Sequence, residues 1–506
     1  MARFFLTTAI DYANGDPHMG HAFEKLGADC IARYRRLRGD DVWFLIGMDE
    51  HGQKVAQTAA ERGLTPQALT DEVAEVFQRT WAQLGISNDQ FIRTTAEAHK
   101  DGVRDLIERI FARNPDDFYE KAYRGLYCVG CESFKTEAEI VDGKCVLHPT
   151  RTLEMVEERN WFFRLSRYQK FLEDLLEKHP DFVRPEIRRN EILGLLRQGL
   201  EDVSASRSRF TWGVPFPRPT SDGEAQTTYV WFDALPNYWT AQRFAGSGAH
   251  WPAQLHIVGK DITRFHCVIW PAMLAAAGEA IPESVWAHGF IYYGGDRFSK
   301  SSGVRLDLQE AIARHGPDAL RYFLLRDIGF ANDGNFTWER FDERYMADLA
   351  DGLGNLASRS LAMIEKYRGG IVPAESTTSL DEAGATATAA YTRALDALDL
   401  RAGAEAAWGL VTTANQYIVQ TAPWALAKQG KDAELDQALG ALARCLLRLA
   451  VLASPFMPGK AEELWRHLGQ DAPLSGAWRQ AEHPKAAGSR IKKPDGLFPK
   501  PAPPNP

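Results

Sequence analysis

The chain has 506 residues, enough for two or three domains and a sizeable core. Its net charge is -8, which argues against a protein that coats nucleic acid nonspecifically, since such binding needs many cations. No apolar run reaches the ~18 residues that span a bilayer. The apolar start runs into Asp11 without a signal-peptide cleavage pattern. With 45% hydrophobic and 25% charged residues, the composition is that of an ordinary globular protein.

A strand, a turn and a helix are predicted at the start of the chain. An apolar run from Phe4 to Ile10 precedes a polar turn, and an apolar helical period then continues to Leu37. The turn reads Asp11-Tyr12-Ala13-Asn14-Gly15-Asp16-Pro17-His18-Met19-Gly20-His21. A proline pre-sets the first helical turn, and a glycine inside it lets a ligand approach backbone N–H groups that favour phosphate. His18 and His21 flank this candidate phosphate site, but a polar turn with two incidental histidines fits the stretch equally well.

Further α/β elements follow. The segment from Val42 to Gly47 is typical of a buried strand, and it ends at the polar sequence Met48-Asp49-Glu50-His51-Gly52. Ligands of open α/β sheets bind at the carboxyl ends of the strands, so this edge is a candidate binding edge. A helix is predicted from Thr65-Pro66 to Gly85, and another over about 97–112.

The segment 116–220 is irregular and contains a candidate zinc site. Cys128 and Cys131 are followed after thirteen residues by Cys145 and His148. Paired ligands at this spacing indicate a tetrahedral structural zinc, because three thiolates and one imidazole leave no open position for chemistry. Three of the six cysteines cluster here, which favours metal in a reducing cytoplasm over a disulfide framework. The alternative is three buried cysteines and a chance histidine.

The α/β pattern resumes in apolar runs at Tyr229–Asp233 and Leu255–Asp261, and an apolar helix is predicted from His266 to Gly278. Both halves fit a parallel Rossmann-type sheet interrupted by an insertion. The loop 294–303 carries two cations and three hydroxyls without an apolar face, so it is able to close over a triphosphate. Taken alone, such a loop is more often a solvated surface turn.

The rest of the chain is predicted to be helical. We expect a catalytic domain at 1–345, with the insertion at 116–220 and the loop at 294–303. We expect an all-α helical bundle at 346–484, in which Gly369-Gly370 ends one helix. The segment 485–506 is rich in lysine and proline and is predicted to lie extended on the surface or to be disordered.

Two motifs together carry a family resemblance. His18-Met19-Gly20-His21 and Arg297-Phe298-Ser299-Lys300-Ser301 resemble the paired signatures of class I aminoacyl-tRNA synthetases. Within that class the chain, up to its tail, resembles the methionyl-tRNA synthetases that carry one zinc knuckle. This resemblance rests on dispersed strings: Ala13-Asn14-Gly15, Asp49-Glu50-His51-Gly52, Tyr229 through Tyr238, Gly259-Lys260-Asp261-Ile262, Trp270-Pro271-Ala272-Met273-Leu274 and Gly354-Asn355-Leu356-Ala357-Ser358-Arg359.

The resemblance implies a two-step reaction. The methionine carboxylate attacks the α-phosphorus of ATP and releases pyrophosphate, and the methionyl group then passes to the terminal adenosine of methionine tRNA, initiator and elongator. It also implies that the helical domain binds the anticodon. The expected cofactors are one structural Zn²⁺ and the Mg²⁺ that accompanies ATP. We expect a cytoplasmic protein. Longer relatives append a dimerising domain, whereas this sequence ends in a Pro-rich tail, so we expect a monomer.

The resemblance also assigns roles to residues. The catalytic residues are His18, His21 and Lys300. The ATP site comprises His18, Gly20, His21, Glu24, Gly259, Lys260, Asp261, His288, Gly289, Phe290, Ile291, Ser299, Lys300 and Ser301. The methionine site comprises Ile10, Tyr12, Asp49, Trp231, Ala234, Leu235, Tyr238, Ile262 and His266, with Asp49 on the ammonium. The zinc ligands are Cys128, Cys131, Cys145 and His148, and the anticodon residues are Asn355, Arg359 and Trp424.

Residue chemistry alone leaves alternatives. Without the family, the aromatic residues of 229–239 are more readily explained as core, and Trp424 as a core residue at a helix end. Arg297 and Phe298 depart from the usual lysine and methionine of the second signature. Rival functions are another class I synthetase, a non-catalytic RNA-binding paralogue and a small nucleotidyltransferase. The segment 116–220 is too short for the editing insertion of the branched-chain synthetases, and a cysteinyl enzyme would place its zinc at the amino-acid pocket.

Overall fold

The computed structural model describes residues 2–128, 133–135, 139–146, 148–208, 211–244, 250–293, 296–297, 306–373, 376–492 and 496–500. The strands are β1 (Arg3–Thr8), β2 (Asp11–Tyr12), β3 (Asp41–Asp49), β4 (Gln90–Arg93), β5 (Phe118–Cys128), β6 (Ser133–Phe134), β7 (Ile140–Val141), β8 (Lys144–Cys145), β9 (His148–Thr152), β10 (Glu154–Phe163), β11 (Val183–Arg184), β12 (Val203–Ser204), β13 (Ser206–Arg207), β14 (Thr227–Thr228), β15 (Leu255–Gly259), β16 (Val285–His288), β17 (Ile291–Tyr293), β18 (Asp296–Arg297) and β19 (Gly334–Phe336). The helices are α1 (Met19–Leu37), α2 (Gln53–Glu61), α3 (Pro66–Gln83), α4 (Glu97–Arg113), α5 (Gln169–Lys178), α6 (Glu186–Arg197), α7 (Val230–Ala234), α8 (Asn237–Thr240), α9 (Trp270–Ala277), α10 (Leu308–His315), α11 (Pro317–Phe323), α12 (Trp338–Arg344), α13 (Asn355–Arg368), α14 (Ser379–Asp396), α15 (Leu400–Thr421), α16 (Pro423–Lys428), α17 (Asp432–Ala453), α18 (Pro458–His467) and α19 (Trp478–Glu482).

A parallel sheet forms the centre of the first domain. Its strands lie in the order β11, β16, β15, β1, β3, and β3 also pairs with β2 and β4. Helices cover the sheet, so strands such as β3 are apolar on both faces and appear in the sequence as continuous apolar runs. β1 pairs with β3 on one side and with β15 on the other. The order of the strands therefore reverses at β1, since the chain builds one half of the sheet on each side of it. A crevice forms at the carboxyl ends of strands where the order reverses, which is where such sheets bind nucleotides. The predicted Rossmann-type fold is confirmed.

One of the two apolar runs that resume the α/β pattern is not a strand. Leu255–Gly259 is β15 of the central sheet, whereas the run at Tyr229–Asp233 forms the short helix α7. Its side chains are buried on nearly every side, with only Trp231 half-buried. A short apolar run that is buried all round does not distinguish a strand from a helix.

The insertion is more regular than the sequence predicts. β5 and β10 form a long antiparallel pair, in register from Phe118 with Phe163 to Tyr127 with Glu154. The helix α5 follows this pair, and β11 then joins the edge of the central sheet before α6. The chain returns to the interior of that sheet at β15. The two strands are separated in sequence by the zinc-knuckle segment, and a local pattern does not reveal pairing over that distance.

The second domain is helical, as predicted. Its central helix α17 is buried on all sides from Ala438 to Ala453, as expected for a helix enclosed by others. Gly369 ends α13 in a left-handed conformation with φ 57°, which a glycine adopts without strain. The predicted boundary at 345–346 falls inside one continuous helical run, since a π-helical segment, Tyr345–Gly354, joins α12 to α13. Of the predicted tail, the part that the structure describes has no helix after α19, and it buries Leu497 and Phe498 against the second domain.

A buried arginine links the two domains. The side chain of Arg321 is fully buried and pairs with Asp29 on α1, at 2.6 Å. It also donates to the carbonyl oxygens of Leu84, Pro455 and Phe456. A buried guanidinium is stable only when such acceptors replace water, and these acceptors come from both domains. Among the residues that the structure describes, no helix is long and apolar enough to cross a membrane.

Candidate active site

The two signature histidines cap the helix that follows β1. His18 is the N-cap of α1, and its Nδ1 accepts N–H groups from Gly20 at 3.1 Å and His21 at 3.3 Å. The Nδ1 of His21 accepts in turn from the backbone N–H of His18, at 3.3 Å, and the two rings stack with centroids 3.6 Å apart. A β-carbon at Gly20 would lie 3.1 Å from the His18 ring, so a larger residue there requires that ring to shift by a few tenths of an ångström. The motif predicted from sequence therefore has a defined geometry at the helix start.

The hydrogen bonds of these rings fix which nitrogen carries the proton. An Nδ1 that accepts a backbone N–H has no hydrogen, so in the neutral imidazole the proton is on Nε2. His18 and His21 thus each have an Nε2–H donor at the N-terminus of α1. The partial positive charge of a helix N-terminus adds to these donors and favours an anion.

An ionic network lies beneath this helix start, and the sequence predicted only part of it. Lys25 is fully buried, and its Nζ donates to Asp11 and Glu24, each at 2.8 Å. Glu24 also faces His288, with Oε2 3.1 Å from Nε2. Burial raises the pKa of Asp11 to about 7, although Lys25 opposes that rise. Lys25 lies one turn after His21, on the same face of α1, and this spacing was the available signal for it.

The carboxyl ends of β15 and β16 lead into the other residues assigned to ATP. Lys260 follows β15 and pairs with both oxygens of Asp333, at 2.6 and 2.7 Å. Asp333 also accepts the backbone N–H of Phe290, at 2.8 Å, which positions the main chain after β16. A β-carbon at Gly289 would lie 2.2 Å from the main chain of Asn332, so a glycine is required there. Asp333 was not predicted, because its partner Lys260 lies 73 residues away in the sequence.

Three further residues assigned to ATP lie at the same edge. Gly259 ends β15 and Asp261 follows it with an exposed side chain. A β-carbon at Gly259 would lie 2.7 Å from Oδ1 of Asp261, so this glycine makes room for that carboxylate. Ile291 is buried in β17, the strand that begins just beyond Gly289.

An aromatic pocket contains the residues assigned to methionine. The hydroxyl of Tyr238 lies 2.7 Å from Nε2 of His266, whose Nδ1 donates to the carbonyl of Ile262 at 3.0 Å. Because Nδ1 donates, Nε2 accepts from the Tyr238 hydroxyl in the neutral ring. Burial lowers the pKa of His266 to about 4, so the ring is neutral at pH 7. Trp231 stacks on Phe265 with centroids 3.7 Å apart.

The remaining residues assigned to methionine lie on two segments, one next to Trp231 and one at β2 and the end of β3. Ala234 and Leu235 are buried next to Trp231. Ile10 and Tyr12 are half-buried, as is Asp49 at the end of β3. Since β2 pairs with β3 through Tyr12 and Asp49, these two residues are neighbours across the sheet.

A buried carboxylate connects the loop after β3 to the pocket helix α7. Asp233 lies 2.6 Å from Nδ1 of His51 and 2.9 Å from Nε2 of His99. Burial raises the pKa of Asp233, but the two adjacent imidazoles outweigh that effect and lower it to about 2. The sequence predicted no role for His99 or Asp233, which are 134 residues apart.

The second signature lies mostly outside the described residues. Phe298, Ser299, Lys300 and Ser301 are among those outside. The backbone of Arg297 pairs with Tyr292 in β17, so the loop begins beside the main chain that follows His288.

The zinc knuckle is described in part. Cys128 and Cys145 are buried in a small cluster with Leu153, and the backbone of Cys145 is paired with that of His148 across β8 and β9. Cys131 and the side chain of His148 lie outside the described residues. Within the described residues there is no group of three or more potential metal ligands. The two buried thiols in the described part of this lobe fit a structural metal.

Two of the residues assigned to the anticodon line a cleft of the helical domain, and the third, Trp424, lies beside Arg359. Asn355 and Arg359 line a cleft of about 520 Å³ together with Asn415 and Gln416. The Trp424 side chain is 46% exposed, and the guanidinium of Arg359 lies 5.8 Å from its ring centre. Trp424 is therefore not the core residue that the sequence alone favoured.

The fold and the site together define a class of protein. The chain combines a parallel sheet that reverses order beside β1, paired imidazoles at the start of the next helix and a helical second domain, and this combination is that of a class I tRNA synthetase. A family model described as class I tRNA synthetases (M) matches residues 4–152 and 135–361. A model of the anticodon-binding domain of methionyl tRNA ligase matches residues 369–502.

Individual relatives agree with these models. The methionine–tRNA ligase of Thermotoga maritima is 41% identical over 92% of this chain and 75% of its own length. That of Streptomyces coelicolor is 39% identical over 98% of this chain and 96% of its own. A solved structure of Mycobacterium tuberculosis methionyl-tRNA synthetase in complex with methionyl-adenylate superposes with a TM-score of 0.93 at 38% identity, covering 99% of this chain and all of that one. The chain belongs to the methionyl family of class I tRNA synthetases.

Proposed function

We propose that the chain ligates L-methionine to methionine tRNA, initiator and elongator, in two steps that use ATP. The observation that carries the proposal is the crevice at the carboxyl edge of the sheet. Two Nε2–H donors lie on one side of it, at the start of α1, and the neutral Tyr238–His266 pair lies in the aromatic pocket. A site of this kind suits an anionic nucleotide together with an uncharged, polarisable side chain. The two-step ligation accounts for both parts.

The first step needs donors and cations, and no protein nucleophile. The methionine carboxylate attacks the α-phosphorus of ATP, and negative charge develops on the phosphate oxygens and on the departing pyrophosphate. We assign the Nε2–H groups of His18 and His21 to those oxygens and the ammonium of Lys300 to the pyrophosphate. Donors fixed before reaction stabilise the transition state more than the ground state. The Mg²⁺ that accompanies ATP supplies further neutralisation of the phosphates.

Selectivity for methionine is assigned to the aromatic pocket. The Tyr238 hydroxyl is engaged with His266, and His266 is neutral, so the pocket offers ring faces without a net charge from these two groups. A thioether gains favourable sulfur–ring contacts in such surroundings. Asp49 is assigned to the ammonium of the amino acid, and Tyr12, its neighbour across the sheet, to the pocket wall.

We assign a structural role to zinc and an anticodon role to the helical cleft. Cys128, Cys131, Cys145 and His148 are the proposed ligands of one Zn²⁺, which would hold the insertion together. Trp424 is proposed to stack on an anticodon base, and Asn355 and Arg359 to hydrogen-bond base edges. We also propose the cytoplasm as the location, because thiols that ligate zinc stay reduced there.

Exchange of labelled pyrophosphate into ATP tests the proposed chemistry. Purified full-length protein should support exchange with methionine and not with leucine or valine. Equal exchange with leucine would end the methionine assignment. Binding of methionine tRNA without any exchange would favour a non-catalytic RNA-binding role.

A further inference from the structure

Lys25 is a buried cation of the site to which the adenylation chemistry assigns no role. Its side chain is fully buried, and its Nζ lies 2.8 Å from each of three acceptors: the carbonyl of Ala9, Oδ1 of Asp11 and Oε1 of Glu24. An ammonium has three N–H donors, so these acceptors use all of them. Lys25 therefore has no donor left for a substrate unless one of these contacts breaks.

The three acceptors belong to two different parts of the site. Ala9 and Asp11 flank Ile10, in the segment assigned to methionine. Glu24 faces His288, the first residue of a segment assigned to ATP, with 3.1 Å between Oε2 and Nε2. One ammonium thus contacts both the methionine side and the nucleotide side of the crevice.

The charge of Glu24 reaches the methionine pocket as well. Burial raises the pKa of Tyr238, and the Glu24 carboxylate raises it further. Burial lowers the pKa of His266, and the same carboxylate opposes that shift. The position of Glu24, which Lys25 holds, therefore affects the electrostatic state of the Tyr238–His266 pair.

Loss of the ammonium would move the groups that it holds. Two buried carboxylates would lose their shared counter-charge, and a buried charge left uncompensated is unfavourable enough to draw in water, bind a proton or shift. The carbonyl of Ala9 would also lose the Lys25 N–H group that donates to it. A displacement of about 1 Å in a substrate-binding segment is sufficient to weaken substrate binding.

We propose that Lys25 is a positioning residue that holds the methionine-binding segment at Ala9–Asp11 and the Glu24–His288 pair in one fixed arrangement. This inference rests on the proposed function, because the two subsites are those of the adenylation reaction. The contacts of Lys25 exist before and during the reaction. They therefore contribute equally to ground-state and transition-state binding, which is expressed in KM and not in kcat.

The test measures pyrophosphate exchange by full-length Lys25→Met, in which an uncharged side chain of similar length replaces the ammonium. We expect the KM for methionine and the KM for ATP each to rise about 10-fold, with kcat within about threefold of wild type. Arg444→Met is the matched control, since Arg444 pairs with Asp381 in a buried ion pair of the helical domain. It should lower the Tm and leave both KM values unchanged.

A second variant separates positioning from stability. In Asp11→Asn/Lys25→Met one buried charge of each sign is absent, so the Tm should recover towards that of wild type while both KM values stay high. Recovery of the KM values together with the Tm would overturn the proposal, as would a rise in only one KM or loss of folding in both variants. If wild type shows no methionine-dependent exchange, the proposed function is refuted. If wild type is active and Lys25→Met has the same KM values as wild type, the positioning role of Lys25 is refuted and the proposed function stands.

Discussion

Removal of the Trp424 ring tests whether the helical domain reads the tRNA. The ring is 46% exposed, so its truncation should cost about 1 kcal/mol of stability, in the range of ordinary point substitutions. Stacking of a splayed base on an aromatic ring contributes ~1–3 kcal/mol, which is roughly 5- to 150-fold. Trp424→Ala should therefore reduce kcat/KM for methionine tRNA by that factor. Pyrophosphate exchange should stay near wild type, because the cleft and the adenylation crevice lie in different domains.

Two matched variants sharpen this prediction. Trp424→Phe keeps an aromatic face, so most of the charging activity should remain. Trp408→Ala removes a second tryptophan of the same domain that is only 7% exposed and donates to the carbonyl of Asp348. That loss should cost about 3–5 kcal/mol of stability and affect charging only through folding. If Trp424→Ala lowers pyrophosphate exchange by the same factor as tRNA charging and also lowers the Tm, the reasoning about Trp424 is refuted.

Three other outcomes follow from the site. Lys300→Ala should reduce kcat for exchange about 10²–10³-fold, measured at saturating substrates, because its charge acts mainly in the transition state; a raised KM with unchanged kcat would contradict this. The pKa of Asp233 is lowered from 3.8 to about 2, so its contribution of about 2 kcal/mol is complete above about pH 4 and is lost as the pH falls towards 2. Chemical denaturation across that range should show wild type losing more stability than Asp233→Asn, and equal slopes would be inconsistent with the His51 and His99 contacts. Elemental analysis should find about one zinc per chain. Cys131→Ser should loosen the insertion and weaken activity indirectly. An active, metal-free protein that chelators do not affect would rule the zinc out.

Local sequence signals were sufficient for the elements on either side of the crevice. Proline, polar cap and glycine at 17–20 after an apolar strand favour a helix start, so the helix that begins at the His18–His21 motif was predictable. The same holds for Gly369, where a helix period stops at a residue that tolerates positive φ. Such signals act over a few residues, and they do not depend on the rest of the fold.

Contacts between distant segments were not predictable in this way. The Lys260–Asp333 pair joins residues 73 apart, and His99 meets Asp233 across 134 residues. No period or spacing in one segment specifies a partner at that distance, since tertiary packing decides it. Trp424 shows that a local pattern also predicts the wrong environment. Its position just after a proline is typical of a buried helix end, whereas its side chain lies at the surface beside Arg359.

Transfer of labelled methionine to purified methionine tRNA tests the central claim most directly, because it needs the crevice and the helical cleft together. With ATP present, the protein should charge initiator and elongator methionine tRNA and leave leucine and valine tRNAs uncharged with any of the three amino acids. Formation of the adenylate without transfer to methionine tRNA, or charging of another tRNA with its own amino acid, would contradict the account.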